Sequence, residues 1–187
     1  KGAVVNSPRV AIIADDLTGA LDVCAPFARR GLRCRVAVTG RGLGEVLESD
    51  GEVVCVTPAS REMDMTTAKA EMVRVVARLA EARPAVAFQK IDSRLKGHVA
   101  DGIETSMAGF GRAEALVAPA VPAQDRFVRD GRIIGKGVPE PIDVASRLGH
   151  RGSMTVSDGS SDADMESLAR RHMHRALLVG ASGLGAG

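Results

Sequence analysis

The sequence predicts an α/β domain with a mainly parallel sheet. Short apolar runs alternate along the chain with longer segments of helical periodicity. Most of the short runs are continuously apolar, the pattern of strands covered on both faces. The chain has 187 residues, enough for one domain with a substantial core.

Six runs read as strands: Arg9–Ala14, Arg33–Val38, Glu52–Thr57, Ala85–Ile91, Glu114–Ala120 and Arg175–Gly180. A helix follows Thr18, but Pro26 sits within it. An interior proline costs about 3 kcal/mol, so a late start or a kink is expected there. The clearest helix spans Met65–Ala82. Met65, Ala68, Met72, Val75, Val76 and Leu79 share one face, Asp64 stands at the N-cap position, and Pro84 closes the far end. Further helices are expected after Gly97 and over Asp162–His172. Asp130-Gly131 between two extended runs, within Arg126–Gly135, signals a hairpin, and Lys136–Asp143 reads as loop.

Composition narrows the functional classes. There are 25 basic and 23 acidic residues, a net charge of +2. That balance argues against nucleic acid or a membrane surface as partner. With four Phe and neither Trp nor Tyr, the chain also lacks the aromatic faces on which bases and carbohydrates stack, so both kinds of stacking platform are disfavoured. Cys24, Cys34 and Cys55, an odd number without a CxxC, fit reduced buried thiols. No run approaches the roughly 20 apolar residues of a membrane span, and no signal peptide is visible. The chain is expected to be cytoplasmic.

The first chemical feature is the end of the first strand, "RVAIIADDLTGALD". In open α/β sheets ligands bind at the carboxyl ends of strands. Asp15 and Asp16 stand at such an end, where a carboxylate can accept from a hydroxyl, act as a base or hold Mg²⁺. One of them alone could simply cap the helix, but two exceed what capping needs. The second feature is "FQKIDSRLKGH", Phe88–His98. Lys90 and Asp92 share one strand face, and a cation beside a carboxylate suits a polyhydroxy acid. A solvated surface ion pair fits the same spacing. Ser60-Arg61 follows a third strand, and arginine can clamp a carboxylate, although a lone loop arginine is also ordinary surface. The glycine-rich "VGASGLGAG" at Val179–Gly187 lacks the Gly-Lys-Ser/Thr of a phosphate loop. On pattern alone it reads as a flexible tail. His98, His150, His172 and His174 form no metal-ligand pattern.

In this order the motifs resemble the four-carbon acid sugar kinase family. "ADDLTGALD" resembles the family's ADDxTGAxD opening, Ser60-Arg61 its post-strand Ser-Arg, and "KIDSRLKG" its K-x-D-S-T-L-R-G segment. "APAVPAQDRFVRDGRIIGKGVP", "DADMESL" and "LLVGASGLGAG" resemble its hairpin region, helix start and closing stretch. Two positions depart from the pattern: Arg94 stands where the family has Thr, and Lys96 where it has Arg. The resemblance implies a Rossmann-like three-layer domain spanning residues 1–187, the sugar-acid-binding N-terminal half of a kinase. On that resemblance the family's nucleotide-binding C-terminal domain is expected to lie outside these 187 residues. Such kinases phosphorylate threonate, erythronate or 3-oxo-tetronate with ATP and Mg²⁺, neither of which this half alone is expected to bind tightly.

By the same resemblance Asp15 and Asp16 are the catalytic candidates, one of them orienting or deprotonating the attacking hydroxyl. Asp16, Ser60, Arg61, Lys90, Asp92, Ser93 and Lys96 are the substrate-binding candidates. No residue is assigned to a metal. Expected partners are a small sugar acid and a nucleotide-binding domain or chain, and a homodimer is compatible. The alternative is a stand-alone sugar-acid-binding or regulatory module without catalysis.

Overall fold

The computed structural model describes residues 7–58 and 64–187. Seven strands form one sheet: β1 (Val10–Ala14), β2 (Cys34–Ala37), β3 (Val53–Val56), β4 (Val86–Lys90), β5 (Ala115–Ala118), β9 (Met154–Val156) and β10 (Leu177–Gly180). Their spatial order is β2-β3-β1-β4-β10-β5-β9, and every pair is parallel. The six expected strands are all present. The seventh, β9, is three residues long and lies at an edge, too short to show in periodicity.

Helix α1 (Leu17–Arg29) packs against α7 (Ser182–Ala186), which packs on α6 (Asp162–His172). On the opposite face α3 (Met65–Glu81) packs against α4 (Val99–Phe110) and α2 (Leu43–Leu47). This three-layer arrangement explains the continuous apolar runs: β3, β5 and β10 are buried at every residue. The short helix α5 (Val144–Arg147) completes the set. No helix among the described residues is long and apolar enough to cross a membrane.

Helix α3 follows its sequence pattern closely. The Asp64 carboxylate accepts from the Thr66 and Thr67 backbone N–H groups at 3.0 Å; a hydrogen bond with the Thr67 side chain, reinforced by these backbone bonds, holds this exposed carboxyl below its usual range. Ala68, Met72, Val75, Val76 and Leu79 are buried. Met65, on the expected apolar face, is 56% exposed because it lies at the open end of the strands. Helix α6 starts at Ser161 with a reciprocal capping box to Asp164.

Helix α1 differs from expectation: it starts early, at Leu17, and runs through Pro26. The proline lacks only the bond its N–H would have made to the Asp22 carbonyl, one turn back. Asp22 is exposed, so water can satisfy that carbonyl, while the proline ring itself is buried.

The hairpin is present as β6 (Arg126–Arg129) and β7 (Arg132–Gly135). Asp130 and Gly131 both have positive φ, 50° and 70°, the backbone of a two-residue hairpin turn. The Asp158 carboxylate accepts from both of their N–H groups, at 2.8 and 2.9 Å. The segment read as loop contributes a two-residue strand, β8 (Ile142–Asp143), antiparallel to β7.

The largest correction concerns the glycine-rich terminus. It is not a tail: β10 sits between β4 and β5, and α7 packs beside α1 with Leu184 only 2% exposed. The glycines permit close approach. A Cβ on Gly183 would stand 2.3 Å from the Ala120 carbonyl oxygen, and one on Gly185 2.4 Å from Val23 Cγ2. Backbone at Ala120 cannot yield as a side chain can. Gly183→Ala is therefore expected to destabilise the fold by about 1–3 kcal/mol, seen as a lowered denaturation midpoint at unchanged m-value; an unchanged midpoint would contradict this packing.

Candidate functional site

Three strands end level. Lys90 pairs with Ala14 on one side and with Gly180 on the other. The segments leaving β1, β4 and β10 therefore emerge side by side, where the order of connection reverses around β1. Neighbouring parallel strands keep paired side chains on one face. Lys90 accordingly points into the α1 layer, where its Nζ lies 2.8 Å from the position a Cβ on Gly19 would take. Gln89 points the other way, its Nε2 2.7 Å from the equivalent position on Gly102 of α4.

A polar hollow of about 240 Å³ opens over Lys90. This is somewhat below the roughly 300–1,000 Å³ of sites for drug-sized ligands, so it suits a smaller molecule. Asp16, Lys90, Asp92 and Ser93 line it together. Asp16 is also the α1 N-cap, its Oδ1 accepting from Gly19 N at 2.5 Å, so capping and siting coexist in one residue. Asp92 Oδ2 accepts from the backbone N–H groups of Arg94 at 2.9 Å and Lys96 at 3.3 Å. This fixes the loop after β4, where buried Leu95 takes a positive φ of 58°, an uncommon conformation for a branched residue.

Lys90 is 7% exposed, and its ammonium donates to the Ile91 carbonyl at 2.9 Å. Among the described residues, no carboxylate forms an ion pair with it. A buried ammonium held by one carbonyl is incompletely compensated for its lost hydration. It presents a ready counter-charge to an anion entering the hollow.

Asp15 and Lys96 lie elsewhere. They border a narrow cleft on the α3–α4 side with Ile13, Met72 and Gln89, and Lys90 forms the wall between the two spaces. That cleft encloses about 40 Å³, room for a few waters at about 10–15 Å³ each rather than for an organic acid. The alternation of the extended chain thus sends Asp15 and Asp16 to opposite sides of the sheet. Ser60 and Arg61 lie outside the described residues.

Sequence reasoning missed several groups in the hollow. Ser182 comes from the supposed tail, and Gln124 and Arg126 from the start of the hairpin ribbon. Arg126 donates to Ser93 Oγ and, through Nε and NH2, to the Lys136 carbonyl at 3.1 and 2.9 Å. The ribbon bends close enough because Gly135 has φ of 106° and abuts the Asp125 carbonyl. The glycine that ends the second ribbon strand was the available signal, but its partner is ten residues away.

No three His, Cys, Asp or Glu converge as a metal-ligand set among the described residues. Cys24, Cys34 and Cys55 are free thiols. A hydrogen bond with Cys24, reinforced by burial, pushes the Cys55 thiol far above its usual range, so it stays protonated as the sequence suggested for a buried thiol.

A parallel three-layer sheet with a polar hollow over its level strand ends defines a ligand-binding α/β domain of the strand-end type. Comparison with known proteins makes this specific. The family model described as the sugar-binding N-terminal domain matches residues 10–142, and the chain belongs to that family. It is 28% identical to a D-threonate kinase of Bordetella bronchiseptica over 222 aligned positions, covering 97% of this chain and 55% of that protein. A 3-oxo-tetronate kinase of Methylobacterium radiotolerans is also 28% identical, over 94% of this chain and 53% of the relative. A D-threonate kinase of Cupriavidus necator is 35% identical over 71% of this chain and 31% of the relative.

The chain thus spans about half the length of the first two relatives. The 222-position alignment exceeds its 187 residues, so the Bordetella relative carries insertions that this chain lacks. Among solved structures, a domain of unknown function from Bordetella bronchiseptica, a domain-swapped dimer with bound citrate, superposes with a TM-score of 0.84 at 28% identity. The match covers 96% of this chain and 55% of that one. A Salmonella typhimurium protein described as a putative tRNA synthase superposes at 0.85 with 15% identity, a likeness of fold alone.

Proposed function

We propose that this chain is the acid-binding half of an ATP-dependent kinase for four-carbon sugar acids of the threonate, erythronate or 3-oxo-tetronate type. The single observation that carries the proposal is Lys90: a buried ammonium without an ion-pair partner among the described residues, in a hollow also lined by the carboxylates of Asp16, Asp22 and Asp92 and the hydroxyls of Thr18, Ser93 and Ser182. An acid's carboxylate pairs with Lys90, and its hydroxyls donate to Asp16 and Asp92. The names of the relatives and the citrate bound to the Bordetella structure agree with a small-acid site.

Asp16, inside the hollow, is the carboxylate placed to orient the attacking hydroxyl and take its proton. Asp15 lies across the sheet, where it borders the narrow cleft with Lys96, and stays a catalytic candidate on motif grounds alone. Arg61 remains a candidate for the carboxylate clamp, and Ser60 for the substrate site, on motif grounds. ATP with Mg²⁺ supplies the phosphoryl group in the whole enzyme, and its site is assigned to the portion of the relatives that this chain does not span. The described residues offer neither a phosphate loop nor a metal-ligand set, so no step is routed through a metal held here.

Calorimetry with D-threonate, D-erythronate and ATP tests this reading. Saturable binding of at least one acid and little uptake of ATP are expected. Tight ATP binding with no acid binding would overturn it.

A further inference from the structure

The hollow sets Lys90, Arg94 and Arg126 against Asp16, Asp22 and Asp92, so charge balance by itself gives Arg126 no role. Its hydrogen bonds do. Nε and NH2 both donate to the Lys136 carbonyl, at 3.1 and 2.9 Å, and NH1 donates to Ser93 Oγ. The ribbon that carries Arg126 is a firm base. Val128 of β6 and Ile133 of β7 are fully buried, and the Asp158 carboxylate holds the turn between the two strands. The guanidinium is therefore a strut from the ribbon to the loop after β4.

A guanidinium only donates, so Ser93 Oγ is the acceptor in this bond. The one hydrogen of the hydroxyl is left over, and it makes no hydrogen bond of its own among the described residues. Accepting from a cation also polarises the O–H and strengthens it as a donor. Ser93 thus faces the hollow as a donor, whereas Asp16 and Asp92 face it as acceptors. The hydroxyls of an acid ligand can satisfy the two carboxylates. Its own ionised carboxylate can only accept, and Lys90, three residues before Ser93 and lining the same hollow, supplies one donor for it.

Resting on the reading of the hollow as an acid site, we propose that Arg126 is a positioning residue that acts through Ser93. One oxygen of the ligand's carboxylate accepts from the Lys90 ammonium and the other from the Ser93 hydroxyl. Arg126 keeps that hydroxyl turned as a donor and does not itself touch the ligand. The ribbon thereby takes part in recognising the acid group through a strut rather than through a contact.

The test is a double-mutant cycle on this chain, read by calorimetry with the tighter binding of D-threonate and D-erythronate. Ser93→Ala is expected to weaken binding at least about tenfold, the loss of one hydrogen bond to a charged group. Arg126→Gln places an amide nitrogen near the position of Nε, which keeps a donor for the Lys136 carbonyl and removes the one to Ser93. It is expected to weaken binding at least about threefold alone, but less than about twofold when added to Ser93→Ala. Arg126→Lys keeps a cationic donor within reach of Ser93 and is expected to bind more tightly than Arg126→Gln; circular dichroism and melting temperature check the fold of each variant. A distorted ribbon would weaken binding in either background, so the cycle separates positioning from a purely structural effect. Equal losses from Arg126→Gln with and without Ser93, or no loss from Ser93→Ala, would overturn the positioning role while leaving the acid site intact. Binding of neither acid to the unchanged chain would overturn the acid-site reading itself.

Discussion

Lys90→Met is expected to abolish acid binding without lowering the melting temperature. Truncating a buried, hydrogen-bonded charge pair typically costs about 2–5 kcal/mol of affinity, so Kd should rise by at least about 30-fold. Stability should behave oppositely. The ammonium is 7% exposed, donates to one carbonyl, and has no carboxylate partner among the described residues. Its desolvation opposes folding, and burying methionine of similar length removes that opposition. An unchanged or higher melting temperature together with lost binding would mark Lys90 as a residue held for ligand rather than for fold. A large fall in melting temperature with binding retained would contradict both halves.

Gly19→Ala is expected to reproduce much of that loss without touching a charge. A Cβ there would stand 2.8 Å from Lys90 Nζ and 3.0 Å from Asp16 Oδ1. Both are ends of side chains that can swing aside, so the fold should survive. The cost falls on position: the ammonium leaves its place under the hollow, and Asp16 is pulled from its cap. Affinity for the acid should drop at least about tenfold, since displacement of a site group by about 1 Å is costly. Thermal denaturation should show only a small change. Binding equal to that of the unchanged chain would show that Lys90 does not depend on this contact.

These two residues show how far the primary structure could be read. The "TG" of the first motif and the Lys of the second are about seventy positions apart, and each is legible by itself as a strand-end feature. That the glycine exists because the lysine packs on it is invisible in the chain. It becomes visible only when β1 and β4 are neighbours with Ala14 opposite Lys90. Likewise, two consecutive aspartates announce a functional strand end, but their separation onto opposite faces follows from the extended backbone between two helical layers.

The same division explains the terminus. Glycine enrichment reads locally as looseness, because glycine gains most from an unfolded chain. Here Gly183 and Gly185 are close-packing positions, required by Ala120 and Val23, which belong to distant segments. Ser182 enters the site for that reason, and Arg126 enters because a ribbon folds back over the loop after β4.

The sequence by itself determined the parallel α/β architecture, six of the sheet strands, the α3 helix with its Asp64 cap, the α6 helix, and the strand-end motifs that carry the chemistry. Period and capping are local, and local patterns survive in one dimension. Only the tertiary structure decided which of those groups share a hollow: Asp16, Lys90, Asp92 and Ser93 together, Asp15 and Lys96 apart, with Arg94 and Arg126 closing the far wall. Strand order, register and the sidedness of each chain exit set those distances, and they are properties of contacts between segments far apart in the chain.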